Sequence, residues 1–171
     1  NENKTCNVCS NSLVVTIGGV ACATPIQDCL RYNDTKKCME CNNSMVVTVE
    51  GLACANFIED CLTYNDSSKL CDSCNNSKIL TLGRTSCASM INNCSTYSDD
   101  NLCKTCKDGT VLTNNNSRCV NQISNCSNYT QNSLCNECAN STVLTINGLA
   151  CADQITNCNQ YADDKSCMTC N

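Results

Sequence analysis

Cysteine is the residue of this chain that could do chemistry, and there are 22 of them in 171 residues. They follow one frame, C-x2-C-x12-C-x6-C, with a tyrosine three residues after the fourth cysteine. The first copy holds Cys6, Cys9, Cys22 and Cys29, the second Cys38, Cys41, Cys54 and Cys61, and the third Cys71, Cys74, Cys87 and Cys94. The fourth holds Cys103, Cys106, Cys119 and Cys126, and the fifth Cys135, Cys138, Cys151 and Cys158. Cys167 and Cys170 then open a sixth copy. Successive copies start at steps of 32, 33, 32, 32 and 32 residues. A fixed period of that size marks a repeat array.

Three chemistries are open to a C-x-x-C pair. Zinc sites often join two such knuckles about 15–20 residues apart. Here the knuckles stand a full repeat apart with single cysteines between them, and the chain contains no histidine. A redox C-x-x-C occurs once, beside a βαβ pattern, rather than six times. Structural disulfides are therefore the reading for all 22 cysteines, and such usage belongs outside the reducing cytosol. A bridge inside C-x-x-C closes a strained ring, so its two members are expected to take different partners. The simplest crossed pattern joins first to third and second to fourth, as in Cys6–Cys22 and Cys9–Cys29. It makes ten bridges and leaves Cys167 and Cys170 open; the shifted frame leaves Cys6 and Cys9 open. Spacing alone does not fix the connectivity.

The elements that must position these sulfurs repeat as well. After each C-x-x-C comes a short polar turn, such as Asn42-Asn43-Ser44 or Lys107-Asp108-Gly109. A β-branched run follows, as in Val14-Val15-Thr16-Ile17, then a turn signal such as Gly18-Gly19, then the third cysteine. That order predicts a hairpin with Ile17 opposite Val20 and Val15 opposite Cys22, and with Val14, Thr16 and Ala21 on the other face. The fourth copy breaks the pattern with Asn114-Asn115-Asn116-Ser117. Ile26, Ile58, Ile91, Ile123 and Ile155 precede the fourth cysteine by three, and Tyr32, Tyr64, Tyr97, Tyr129 and Tyr161 follow it by three. This spacing predicts a turn or two of 3₁₀-like helix, with Thr24-Pro25 as cap and first residue. One phenylalanine, Phe57, and no tryptophan leave each copy too little apolar area to order itself. Bridges and stacking on neighbouring copies are expected to hold it.

Other functional residues are sparse. No nucleophile–base pair and no phosphate-cradling glycine loop is readable, so no enzyme activity, cofactor or metal is expected. The acidic residues after the tyrosines, Asp34, Asp66, Asp99-Asp100 and Asp163-Asp164, are read as turn caps rather than as a Ca²⁺ site. The tyrosines are read as packing over the next copy's disulfide rather than as a sugar platform. N-x-S/T sequons occur at Asn3, Asn33, Asn42, Asn65, Asn75, Asn93, Asn115, Asn125, Asn128 and Asn140, and N-linked glycans are expected on several. Asn93 and Asn125 stand directly before a cysteine and suit a glycan less well. Net charge is −5 with no Lys/Arg cluster, which excludes a nucleic-acid partner. The longest apolar run, residues 13–17, is far too short to span a membrane. No leader segment is visible, and both ends fall inside the repeat. The chain therefore reads as a processed or partial product of a longer array, or a subunit that joins end to end.

The pattern C-x2-C, then VLT, G-x-x-C, I-x-x-C and x-x-Y resembles the tandem cysteine-rich repeats of ciliate surface proteins. These are related to furin-like, growth-factor-receptor-type modules. The resemblance covers all five copies and implies a secreted or surface-anchored, disulfide-bonded, elongated protein with no catalytic residues. The reading is thus a small disulfide-rich, mainly β fold, each copy a short hairpin plus a helical turn, stacked into a rod or solenoid. Copies span residues 6–37, 38–70, 71–102, 103–134 and 135–166, with residues 167–171 starting a sixth. The function it suggests is an extracellular structural glycoprotein of a protist surface coat or fibre, whose partners are further copies of itself or of the repeat, with glycans as possible ligands. The alternatives are a receptor-like or adhesin ectodomain that binds protein or carbohydrate, and an intracellular metal-thiolate protein.

Overall fold

The computed structural model describes residues 5–170, and all their regular structure is β. Twenty strands of two to four residues pair antiparallel into ten two-stranded hairpins. The chain divides into two compact units, Asn1–Ser89 and Met90–Asn171. The same two hairpins alternate within each.

In the first unit, β1 (Val14–Val15) pairs with β2 (Cys22–Ala23), with Val15 opposite Cys22 and Val14 opposite Ala23. This is the register that the Gly18-Gly19 turn predicts. The strands stop at two residues because the Ile17 N–H leaves the hairpin and donates to the Tyr32 carbonyl at 2.9 Å. Gly19, at φ 65°, donates back to the Thr16 carbonyl at 2.9 Å. Ile17 and Val20 consequently belong to the turn, where they are 53% and 65% exposed, and do not form the expected facing pair.

The second hairpin joins β3 (Cys29–Tyr32) to β4 (Cys38–Cys41). Cys29 stands opposite Cys41, Arg31 opposite Glu40 and Tyr32 opposite Cys38, with irregular steps between. The expected helical turn between third and fourth cysteines is absent; no helix occurs among the described residues. The residue before each fourth cysteine explains this. Asp28, Asp60, Asn93, Asn125 and Asn157 are left-handed, with φ between 60° and 63°, and a left-handed residue ends any right-handed helix. The chain makes one turn, with the Cys29 N–H donating to Ile26 O at 3.1 Å, and then runs extended. The spacing of three from cysteine to tyrosine is a bulged strand.

The first unit continues with short hairpins Val46–Val47/Cys54–Ala55 and Ile79–Leu80/Cys87–Ala88, around a cysteine hairpin Cys61–Tyr64/Cys71–Cys74. The second unit has cysteine hairpins Cys94–Tyr97/Cys103–Cys106, Cys126–Tyr129/Cys135–Cys138 and Cys158–Tyr161/Cys167–Cys170. Between them lie short hairpins Thr110–Leu112/Cys119–Asn121 and Val143–Leu144/Cys151–Ala152. The cysteine hairpins thus straddle the points at which the sequence copies restart. In four copies the polar turn after C-x-x-C is a two-residue reversal with both φ values positive, as at Asn43 (51°) and Ser44 (59°), the geometry of a type I′ turn; in the fourth copy only Gly109 (81°) has positive φ.

The buried side chains are cysteine, alanine, threonine and tyrosine; Val120 is the one larger aliphatic among the described residues that joins them, and Gly19, Gly51 and Gly148 are buried in turns. Phe57 is 66% exposed, and Leu52, Leu62 and Met90 are also exposed. An interior of sulfur and small side chains buries little hydrocarbon, so the bridges must carry much of the stability.

Candidate functional site

Ten bridges form, and their connectivity corrects the first-to-third, second-to-fourth expectation. The second cysteine of a copy joins the third, in Cys9–Cys22, Cys41–Cys54, Cys74–Cys87, Cys106–Cys119 and Cys138–Cys151. The fourth joins the first of the next copy, in Cys29–Cys38, Cys61–Cys71, Cys94–Cys103, Cys126–Cys135 and Cys158–Cys167. The physical reason lies in β4. As a strand beside β3, it brings Cys38 within bridging distance of Cys29, at 5.9 Å between Cα atoms. Its last residue, Cys41, meets Cys54 of the following short hairpin, also at 5.9 Å. No C-x-x-C closes on itself among the described residues, as strain dictates. Cys6, half-buried, and Cys170, exposed, are free thiols, one from each end rather than a pair from one end. The extra residue of the second copy falls in the Cys61–Cys71 loop, whose separation is 10 instead of 9.

The bridges meet in groups. Cys38 Sγ lies 3.8 Å from Cys54 Sγ and 3.9 Å from Cys41 Sγ, so the Cys29–Cys38 and Cys41–Cys54 bridges touch. Equivalent contacts are Cys71–Cys87 at 3.8 Å, Cys103–Cys119 at 3.4 Å and Cys135–Cys151 at 3.6 Å. Each of the four C-x-x-C pairs from Cys38 to Cys138 thus sits in a tetrad with the fourth cysteine before it and the third cysteine after it. A thiolate, not a bridged sulfur, is the metal ligand, so the bridged tetrads offer no metal site as they stand.

Two polar devices hold the hairpins. Each tyrosine is 2–4% exposed, which places it in the interior and away from any sugar. Its hydroxyl accepts the N–H of the isoleucine six residues earlier, at 2.6 Å for Tyr32–Ile26 and 2.8 Å for Tyr64–Ile58. It donates to the same residue's carbonyl, at 3.3 Å and 3.1 Å. The second device is a buried threonine seven residues after the second cysteine. Thr48 is 2% exposed, accepts the Ala53 N–H at 3.1 Å and donates to Asp66 Oδ1 at 2.5 Å. Asp66 also accepts the Glu50 and Leu52 N–H groups at 3.0 and 3.1 Å. Burial acts to raise the Asp66 pKa, but the Thr48 hydroxyl, the Leu52 and Glu50 amides and the Lys37 charge together hold it below the ordinary value. Asp34 plays this part for Thr16 and Gly18. Asp163 does so for Asn147, whose side chain is the main cause of its lowered pKa. The acidic residues at these three positions cap turns, as expected.

The fourth copy shows why the threonine and aspartate were hard to see as a pair. Tyr129 is followed by Thr130-Gln131, with no aspartate in place. There Thr113 donates instead to Asn115 of its own turn, at 3.0 Å, and Ser117 completes the cap. The Asn114–Ser117 segment is therefore a self-capped turn rather than a degraded one. Five recurring threonines, Thr16, Thr48, Thr81, Thr113 and Thr145, were the available signal.

The sequons separate by environment. Asn42, Asn75 and Asn140 are exposed in the turns after C-x-x-C. Asn33 and Asn65 are half-buried and use Oδ1 to hold their own loops, accepting Lys37 N–H and Ser68 N–H. Asn115 is the turn cap just described; Asn128 lies in a strand, and Asn93 and Asn125 are left-handed residues beside bridges. Asn3 lies outside the described residues. An open groove of 570 Å³ in the first unit is lined by Gln27, Asn43, Asn56 and Lys69. One of 470 Å³ in the second, lined by Met90, Asn92, Arg118 and Ser133, occupies the corresponding place in its copies.

No family model, curated protein or solved structure matches the chain. It is a cysteine-rich tandem-repeat protein of disulfide-stapled β-hairpins. Ten bridges require an oxidising environment to form and persist. No helix among the described residues is long and apolar enough to cross a membrane.

Proposed function

We propose that this protein is an extracellular structural glycoprotein, built for a surface coat or fibre of the kind its repeat resembles in ciliates. The observation that carries the reading is the second set of bridges. A bond from the fourth cysteine of one copy to the first of the next staples successive copies, and nothing in such a bond serves a ligand. The two grooves occupy matching places in different copies, which favours equivalent structural units over one specialised receptor or adhesin site. Sequons in the turns after C-x-x-C would carry sugar outward and blunt the pairing of short exposed strand edges. Further copies of the repeat are the partners this reading implies.

Intact mass of native material, with and without an N-glycosidase and a reductant, tests it. The expected result is a mass loss on deglycosylation, localised to Asn42, Asn75 or Asn140, and a gain of two hydrogens for each of ten bridges on reduction. Native material with unmodified asparagines and free thiols throughout would overturn it.

A further inference from the structure

The cysteine hairpin holds a mismatch between its ladder and its bridge. Cys29 stands opposite Cys41 in register yet is bonded to Cys38. Cys61 likewise faces Cys74 but bonds Cys71, Cys94 faces Cys106 but bonds Cys103, and Cys126 faces Cys138 but bonds Cys135. In each case the first cysteine of C-x-x-C also touches the third cysteine of its own copy, at 3.4–3.8 Å between sulfurs. A second complete pairing is therefore within reach of every tetrad. In the tetrad around Cys38 it is Cys29–Cys41 together with Cys38–Cys54.

We infer that each sulfur tetrad is a thiol–disulfide exchange unit, in which loss of either bridge passes the free thiols to Cys29 and Cys41 or their equivalents. A low-molecular-weight thiol of the glutathione class supplies the electrons and is itself oxidised to its disulfide. If it opens Cys29–Cys38, the Cys38 thiolate attacks Cys54 Sγ, the Cys38–Cys54 bond forms, and Cys41 leaves as thiolate to take the proton Cys38 gave up. If it opens Cys41–Cys54, the Cys54 thiolate attacks Cys38 Sγ, and Cys29 leaves. Both routes end with Cys38–Cys54 bridged and Cys29 and Cys41 reduced, and the exchange step itself is redox-neutral. Closure of Cys38 on Cys41 competes poorly, because that ring is strained.

Loop closure does not oppose the shift. When Cys29–Cys38 is opened, the remaining loop of 13 residues becomes one of 16, and when Cys41–Cys54 is opened, the remaining loop of 9 becomes one of 16, a change of at most about 2.4-fold in the chain-entropy model. Exchange is also confined. Four of the five close groups of three sulfurs among the described residues each draw their members from one tetrad, and the fifth, Cys6 with Cys9 and Cys22, lies at the first C-x-x-C, before the tetrads begin. A reductive lesion is then held as two thiols that face each other across one ladder, ready to close on reoxidation, instead of spreading along the array.

Partial reduction of the oxidised full chain tests this. Cys6 and Cys170 are first blocked with one alkylating reagent, limiting glutathione is added at pH 8, and new thiols are trapped with a second reagent. Cleavage at Glu40 separates Cys38 from Cys41 for mapping. The expected outcome is label on Cys29 and Cys41 at severalfold the level on Cys38, with a Cys38–Cys54 peptide appearing in step. Equal label on Cys29 and Cys38 with Cys41–Cys54 intact would overturn the inference, as would bridges between tetrads. A second arm reduces the same chain with a phosphine at pH 4 and traps without raising the pH. Exchange needs the thiolate, so label there should fall on bonded partners, Cys29 with Cys38 or Cys41 with Cys54. A Cys29/Cys41 pattern at pH 4 would show that the pH 8 pattern reflects accessibility and would reject exchange.

Discussion

The Tyr64 hydroxyl grips Ile58 from both sides, accepting its N–H at 2.8 Å and donating to its carbonyl at 3.1 Å. The ring is 4% exposed, whereas Phe57, one residue before Ile58, is 66% exposed. Tyr64→Ala should therefore cost about 3–5 kcal/mol, and Phe57→Ala less than about 0.5 kcal/mol. Tyr64→Phe isolates the hydroxyl, with an expected loss of about 1–2 kcal/mol for the unpaired Ile58 groups. Thermal unfolding, with hydrogen exchange at Ile58 and Cys61, would check the ordering. Equal losses from Tyr64→Ala and Phe57→Ala would reject the clamp.

Gly51 and Arg84 occupy the same place in successive short hairpins, at φ 71° and 60°. A Cβ on Gly51 would lie 2.9 Å from the Cys38 carbonyl oxygen. Gly51→Ala should destabilise by about 1–2 kcal/mol, and Arg84→Gly should be neutral or stabilising by up to about 1 kcal/mol. The exposed Arg84–Asp72 ion pair lost in the second change is worth little. Midpoints of thermal unfolding moving in opposite directions would bear this out; a lower midpoint for Arg84→Gly would contradict it.

The repeat, the β-hairpins and the Val15–Cys22 register were legible in the sequence, because alternation and glycine turns act over a few residues. The bridge partners were not. They depend on Cys38 lying in a strand beside Cys29 of the preceding copy, a non-local pairing that spacing does not encode. The helical reading of Ile26-x-x-Cys29-x-x-Tyr32 failed for a local reason: Asp28 is left-handed, and aspartate or asparagine at that place in every copy was a signal for it. Thr48 was legible as a recurring residue, but its carboxylate partner lies 18 residues away, beyond any local pattern.

Acid should loosen the short hairpins. Asp66 and Asp163 have folded-state pKa values held below the ordinary carboxylate value. Their contribution is complete above the unfolded value near 4 and fades as pH falls through the lower folded value. Hydrogen exchange at Leu52 and Leu149 N–H should therefore stay slow at pH 5 and lose protection below about pH 4, after allowance for intrinsic rates. The Ser117 amide, capped by the uncharged Asn115, serves as the control and should keep its protection. Parallel loss at all three amides would show that the carboxylates are not responsible.

Thr48 and Asp66 should be energetically coupled, and the fourth copy supplies the comparison. Thr48→Val removes the acceptor for Ala53 N–H and the donor to Asp66 while keeping the shape of a side chain that is 2% exposed. Leaving a buried amide unpaired costs about 1–3 kcal/mol. Asp66→Ala frees the Glu50 and Leu52 amides, but these lie at the surface and can turn to water. The double variant should lose less than the sum, by an interaction term of about 1 kcal/mol. Thr113→Val should cost a similar amount, because Thr113 accepts the Arg118 N–H and is equally buried. Gln131→Ala, at the place Asp66 holds in its copy, should show no coupling to it, since Asn115 already takes the Thr113 hydroxyl. Denaturant unfolding of the two double-variant cycles decides the matter. Additivity at Thr48/Asp66, or coupling at Thr113/Gln131 of the same size, would remove the threonine–carboxylate link as a bond that ties the Thr48 hairpin to the cysteine hairpin after it.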